Sequence, residues 1–305
     1  MTTNTLITGW NGFFGSILCS NLDANGTNIV RCGRVEGSDI KADLALSPPV
    51  IDGDIQRVIH SAGVTPGPTR PINTSNLFTI GNVQGTSNLL TGLSSNKPES
   101  FVLISSASVY GKISGNLIEE SAPLLATSEY AKSKRDSELL VAEWCDKHNI
   151  ALTIVRLPLV VGVGAPGTLG QLINAIRKRR FVIPGDGSAR KSMVLATDVA
   201  DWLVNNPSIE GTFNLTDQQD PSYAEICDAI THQLQIKKVP RVPASMMKAA
   251  SWLGDSGGAI LKKPLPYNTL VHTQLTQSLT FSCEAAKAQG WNPNSVLENI
   301  DSWLN

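Results

Sequence analysis

The chain has almost no excess charge: 25 Lys and Arg stand against 26 Asp and Glu over 305 residues, a formal net charge of −1. That balance argues against nucleic acid or an anionic membrane as the main partner. Cysteine is scarce and unpatterned. Its five residues form no Cys-x-x-Cys pair and no Cys/His ligand spacing, which speaks against a metal site and suits free thiols in a reducing compartment. Long apolar runs are missing as well. The longest, Ile150 to Val163, is broken by Arg156 and Pro158 and is too short to span a bilayer. Met1-Thr2-Thr3-Asn4 runs straight into the first expected strand and leaves no room for a signal peptide. There is no internal repeat. The basic run Arg177-Lys178-Arg179-Arg180 closes an expected helix, where cations suit the dipole. The expectation is a soluble, cytoplasmic protein.

What is present begins with rhythm. Short apolar runs at Thr5–Thr8, Asn28–Arg31, Arg57–Ser61, Phe101–Ser105 and Leu152–Arg156 alternate with amphipathic stretches. Such alternation predicts a doubly wound parallel sheet with helices on both faces, its ligands at the carboxyl ends of the strands. The first run is followed by Gly9-Trp10-Asn11-Gly12-Phe13-Phe14-Gly15 and then a helical stretch. Gly9 permits a tight turn, Gly12 lets a pyrophosphate approach the backbone, and Gly15 lets helix and strand pack closely. First-turn amides, those of Phe13 and Phe14 included, would then hold the phosphates with help from the helix dipole. This predicts a dinucleotide cofactor.

Two further features carry chemistry. Tyr130 and Lys134 lie four residues apart in a helix-like run, hence on one face. About twenty residues upstream stands the hydroxyl-rich strand end Ser105-Ser106-Ala107-Ser108. A Lys ammonium beside a phenol favours the phenolate and lowers a pKa that is ordinarily about 10.

Taken together, Thr8 to Gly15, Ser105-Ser106-Ala107-Ser108-Val109-Tyr110-Gly111 and Tyr130-x-x-x-Lys134 resemble the motifs of the extended short-chain dehydrogenase/reductase family, and nearly the whole chain takes part. The resemblance implies a Rossmann-type α/β fold over residues 1–157, with residues 158–305 supplying mainly a smaller substrate-binding cap and completing the sheet. It implies that Ser106, Tyr130 and Lys134 are catalytic, Tyr130 exchanging the proton while Ser106 steadies the reacting oxygen and Lys134 also reaches the nicotinamide ribose. Ser108 is expected to contact substrate. The cofactor site would include Asp43-Leu44 at the adenine, Ser61-Ala62-Gly63 after the fourth strand, and Asn82 ordering the active-site backbone. His60 reads as a packed strand-end histidine. The family's acidic position after the second strand falls on Gly33, followed by Arg34, which favours NADP over NAD.

Reaction type follows by comparison with the same family. Its dehydratases carry an Asp-Glu pair where this chain has Ala107-Ser108, so 4-epimerisation or 4-keto reduction is expected rather than dehydration. The stretch Val155 to Gly164 and Arg190-Lys191-Ser192 before Thr197-Asp198 resemble the branch acting on UDP-linked amino sugars in surface-polysaccharide synthesis. Arg190 and Lys191 would then grip a diphosphate as paired cations. The common pattern has an Asn near Leu159, which is absent here. Reduction of a non-sugar carbonyl and a non-catalytic cofactor sensor are the alternatives. Family habit implies a homodimer through two long mid-domain helices, one starting near Tyr130. The turn-rich segments 162–167 and 183–188, the Pro-rich Val239–Pro243 and Asp255-Ser256-Gly257-Gly258 are expected to break up the last third.

Overall fold

The computed structural model describes residues 4–67, 75–261 and 267–304; Met1–Thr3 of the N-terminal reading lie outside them. The strands are β1 (Asn4–Thr8), β2 (Asn28–Gly33), β3 (Ile40–Lys41), β4 (Arg57–His60), β5 (Ser100–Ser106), β6 (Gly115–Ile118) and β7 (Ala151–Leu157). Six more follow: β8 (Leu159–Val161), β9 (Ile183–Pro184), β10 (Met193–Leu195), β11 (Gly211–Asn214), β12 (Arg241–Val242) and β13 (Leu279–Phe281). Each of the five apolar runs forms a strand of one seven-stranded sheet, ordered β11-β7-β5-β4-β1-β2-β3, with every pair parallel.

Burial explains why continuous apolar runs suit this sheet. Side chains alternate across a strand, and both faces are covered. Ile7, Ile59, Val102 and Val155 join one core, under α1 (Phe13–Ala24). Leu6, Val58, Phe101, Leu103 and Ile154 join the other, with residues of α3 (Gly85–Gly92) and α4 (Glu129–His148). Before α3 the chain runs through the short α2 (Ser75–Phe78) and a π-helical turn, Thr79–Gln84. Strand order reverses between β1 and β4, so the crevice outside their carboxyl ends is the switch point where this architecture takes a ligand.

The later chain returns to this layer before leaving it. After α5 (Thr168–Arg177), α6 (Ala196–Asn205) packs on α1, and β11 adds the edge strand beside β7. A separate core of Val161, Leu169, Ile183, Ile226, Val296 and Trp303 gathers the C-terminal elements, including α7 (Tyr223–Gln233). Three two-stranded parallel pairs tie them: β8–β10, β9–β12 and β6–β13.

Two expected breaks are instead ordered elements. The Pro-rich segment contains β12, which its prolines tolerate because it pairs only with β9. Asp255 to Gly258 lies inside α8 (Ala244–Leu261), which leads to α9 (Thr269–Thr276). Just before it in the same helix, Gly254 packs closely on the next segment: a Cβ there would stand 1.9 Å from the Tyr267 carbonyl oxygen. Asp255 also accepts the Thr269 backbone N–H and hydroxyl. The chain closes through α10 (Glu284–Lys287). Among the described residues no helix is long and apolar enough to cross a membrane.

Candidate active site

The glycine turn follows β1 at the switch point. Gly9 is left-handed, with φ +69°, and a Cβ there would meet Ala62 backbone atoms at 2.7 Å. Gly15 lies so close beneath the turn that a Cβ would come within 2.1 Å of the Gly9 carbonyl oxygen. At Gly12 the same test meets only that oxygen, at 3.1 Å. Gly12 is the N-cap of α1, and no side chain caps the helix. Phe14 is buried in the core, and the Phe13 ring lies against Gly162. What residues 13 and 14 can offer a phosphate is therefore backbone amide at a helix N-terminus. These features fit the pyrophosphate of a dinucleotide.

At the end of β2, Gly33 leaves room that Trp10 fills: the indole Nε1 donates to Ser38 Oγ at 3.0 Å. Trp10 had no assigned role in the sequence reading; its place inside the glycine motif was the available signal. Arg34 is exposed and lies 3.7 Å from the Asp43 carboxylate, so these two expected cofactor residues face each other. Leu44 is buried beneath them, its carbonyl accepting from Asn88 at 2.7 Å.

The proton-handling residues meet where β5 ends against the first turns of α4. Ser128 caps that helix, accepting from the Ala131 N–H at 3.2 Å. Three successive residues of β5 then hold three residues spaced one turn apart on α4. The Ser106 hydroxyl acts on the Tyr130 phenol, favouring its charged form, the Ile104 carbonyl accepts from Lys134 Nζ at 2.6 Å, and Ser105 donates to the Glu138 carboxylate. Phe78 packs edge-on against the Tyr130 ring, centroids 5.6 Å apart.

Burial sets the charge states here. It pushes the Tyr130 phenol above its ordinary value, against the lowering effect of Ser106. Lys134 Nζ donates to the Ile104 carbonyl, and burial is the larger influence on the phenol. Lys134 itself is pushed down to about 8 by burial, with Glu138 acting the other way.

Behind these residues run two buried polar networks; the partners of His60 and Asn82 in the first, and the whole of the second, were not legible in the sequence. His60 joins Thr8 Oγ1 (2.6 Å from Nδ1) to Thr86 Oγ1 (2.9 Å from Nε2), and Thr8 Oγ1 accepts the Ala62 N–H at 3.1 Å. Burial, then the Lys134 charge, push His60 down to about 3, so it stays neutral in its ties to the glycine turn. Asn82 accepts the Val64 N–H at 2.6 Å and donates to Ser133 Oγ at 2.8 Å, linking the loop after Ser61-Ala62-Gly63 to α4. In the second network Arg156 of β7 lies 2.8 Å from Glu138 and donates to Tyr110 Oη at 3.1 Å and to the Glu120 carbonyl. Tyr110 in turn donates to Asn214 at 2.7 Å.

On the substrate side, Ser108 follows in the 3₁₀ turn Ala107–Tyr110, and its buried Oγ has no hydrogen-bond partner among the described residues. A hydroxyl left in that condition suits a ligand polar group. Ala107 is buried where the dehydratase acids would stand. Arg190 and Lys191 do not form a paired grip, because neighbouring residues in extended backbone point to opposite sides. Arg190 is exposed, bonding the Asp220 carbonyl at 2.9 Å and lying 3.7 Å from Glu225. Lys191 is buried, donating to the Gln277 carbonyl at 2.9 Å with its Nζ 5.8 Å from the Tyr223 ring centre. Among the described residues no group of three or more His, Cys, Asp or Glu could hold a metal.

With this geometry in place, residues 5–205 match the family model described as NAD dependent epimerase/dehydratase family. The chain is 26% identical over 258 residues to the N-acetyl-alpha-D-glucosaminyl-diphospho-ditrans,octacis-undecaprenol 4-epimerase of Escherichia coli O157:H7, covering 79% of this chain and 75% of that protein. Among solved structures it resembles UDP-glucose 4-epimerase from Thermus thermophilus complexed with NAD (TM-score 0.74, 20% identity, 99% of this chain and 98% of that one). It also resembles RMD from Pseudomonas aeruginosa complexed with NADPH (TM-score 0.73, 19% identity, 99% and 98%). At these identities the structural likeness establishes the fold.

Proposed function

From the premise that this chain belongs to the NAD dependent epimerase/dehydratase family of nicotinamide-dinucleotide enzymes, we propose that it oxidises or reduces C4 of a sugar carried on a diphosphate, as a nucleotide-sugar 4-epimerase or 4-keto reductase. The observation that carries this reading is the alignment of Ser106, Tyr130 and Lys134 along the end of β5 and the start of α4. A nicotinamide supplies the hydride acceptor and donor when bound. The chain's own part is the proton. Tyr130 takes it from the sugar hydroxyl as the carbon is oxidised and returns it when the ketone is reduced. Ser106 hydrogen-bonds the reacting oxygen as charge develops there.

The free hydroxyl of Ser108 supports a sugar contact, and residues 158–305 serve mainly as the substrate-holding cap. Ala107 in place of an acid favours reduction or epimerisation over loss of water. Arg34 and the absence of an acid at Gly33 favour NADP over NAD. Exposed Leu77, Ile80 and, on α4, Leu139 support a second copy of the chain as partner.

Thermal-shift measurements with NAD, NADP, UDP, GDP and dTDP sugars, and with a polyprenyl-diphosphate sugar as the first relative's name suggests, test the ligand class. Tyr130→Phe is expected to lower turnover by about 10²–10⁴-fold while leaving cofactor-induced stabilisation in place; unchanged turnover would favour the sensor alternative. Arg34→Ala is expected to weaken NADPH binding in a fluorescence titration about tenfold and leave NADH unaffected. Equal loss for both would overturn the NADP preference, and NAD retained through purification would favour the epimerase.

A further inference from the structure

We propose that Glu138 is a positioning residue for the proton-transfer pair: its carboxylate, one helical turn beyond Lys134, keeps Lys134 an ammonium, and Arg156 and Ser105 hold that carboxylate in place. The proposal rests on the reading of Tyr130 and Lys134 given above. It goes further by assigning a role to a residue that would touch neither sugar nor cofactor.

The geometry is a stripe of three on α4. Tyr130, Lys134 and Glu138 are spaced i, i+4 and i+8; β5 holds Lys134 and Glu138 by hydrogen bonds and presents Ser106 to the Tyr130 phenol. Glu138 is only 3% exposed, and Arg156 closes on it with Nε 3.2 Å from both carboxylate oxygens and Nη2 2.8 Å from one. Register explains the fit, because Arg156 on β7 lies directly beside Ser105 on β5. A buried ion pair of this kind is weak evidence for stability, since desolvation offsets most of the attraction. It therefore calls for another role.

Lys134 supplies that role. Its Nζ bonds a neutral carbonyl, which brings no charge of its own. From its own helix the titratable groups are Tyr130 and Glu138. From β4 there is His60, which burial keeps neutral. From β7 there is Arg156, standing behind Glu138. β5 presents only the Ile104 carbonyl and the Ser105 and Ser106 hydroxyls. Glu138 is thus the nearby negative charge opposing the desolvation of Lys134. Arg156 limits how closely the carboxylate can neutralise the ammonium, so the cluster keeps a net positive charge beside the phenol. The same Arg156 reaches Tyr110 and, through it, Asn214 of β11, which locks the carboxylate to the sheet edge supplied by the later chain.

The test reads Lys134 directly, without any substrate. Protein labelled with [ε-¹³C]lysine is titrated by NMR, with the Lys134 resonance assigned from its loss in Lys134→Arg. The Lys134 midpoint in the unsubstituted protein is expected near 8. Glu138→Gln removes the attraction and leaves Arg156 unpaired, and both effects disfavour the ammonium, so the midpoint should fall by about one pH unit or more. Should that variant fail to fold, Glu138→Gln/Arg156→Met removes both buried charges. Its midpoint should lie between that of the unsubstituted protein and the value predicted for the single variant. A folded variant of either kind with an unmoved Lys134 midpoint overturns the proposal. A midpoint that moves while no sugar diphosphate is turned over supports it and counts against the proposed reaction instead. Where turnover is found, the alkaline limb of its pH profile should move with the NMR midpoint; a lower rate with an unmoved limb would mean a purely structural role.

Discussion

Gly12→Ala separates the fold's use of the glycine turn from its use by a ligand. The backbone at Gly12 has φ −77° and ψ 170°, which alanine adopts without strain. Its added Cβ meets one atom, the Gly9 carbonyl oxygen at 3.1 Å, which has to yield by a few tenths of an ångström. Loss of glycine at an N-cap costs under about 1 kcal/mol. Gly15→Ala is the contrast: its Cβ would stand 2.1 Å from that same oxygen and 2.9 Å from Trp10 Cα, all backbone that cannot turn aside. Overpacking of this kind costs about 1–3 kcal/mol. Melting curves with and without NADPH distinguish the two.

At a cofactor concentration about 100 times the wild-type Kd, binding adds about 2.7 kcal/mol. A hundredfold weaker variant keeps about 0.4 kcal/mol at the same concentration. With about 2–4 °C per kcal/mol for a chain of roughly this size, NADPH should raise the wild-type Tm by about 5–10 °C. Gly12→Ala should melt near the wild type alone and gain only about 1–2 °C from NADPH. Gly15→Ala should melt lower to begin with. A full NADPH shift in Gly12→Ala would refute the placing of the pyrophosphate at this turn.

Two further outcomes follow from buried ionisable groups. His60 is held near 3 against an ordinary 6.5; the unfolded chain therefore binds the extra proton first, and stability present above pH 6.5 is lost as pH falls towards 3. In chemical denaturation, His60→Gln should flatten the loss between about pH 6.5 and 4, and an unchanged slope would mean that other groups carry it. Lys191, pushed down to about 8 by burial, pays for its place below that pH. Lys191→Met should therefore raise the Tm at about pH 7, by an amount equivalent to about 1–3 kcal/mol. A lower Tm would show that the Gln277 carbonyl contact outweighs the burial of charge.

Strand positions were legible because a parallel sheet covered on both faces demands uninterrupted apolar residues, and Leu6-Ile7 or Val58-Ile59 serve one core each. Tyr130 and Lys134 were legible because helical spacing is local. The partners that govern them were not. Glu138 and Arg156 lie 18 residues apart, and Tyr110 and Asn214 lie 104 apart; their meeting depends on strand order, which no window of sequence contains. Arg190-Lys191 misled for a related reason. Adjacent cations look paired in a string of letters, but extended backbone turns one out and the other in. Gly257-Gly258 misled because a helix tolerates glycine at a modest cost that packing elsewhere can offset.

The edge strand β11 has a consequence for synthesis. β7 ends at Leu157, but the strand that covers its outer edge begins only at Gly211. At about 5–20 residues per second, the ribosome exposes an unpaired β7 edge for several seconds before its partner exists. Thr153, Val155 and their neighbours are then open to pairing with another nascent chain. A stop or stall between residues 157 and 211 would yield an insoluble fragment, whereas slow codons placed far enough beyond Asn214 for β11 to have left the ribosome would give the sheet time to close.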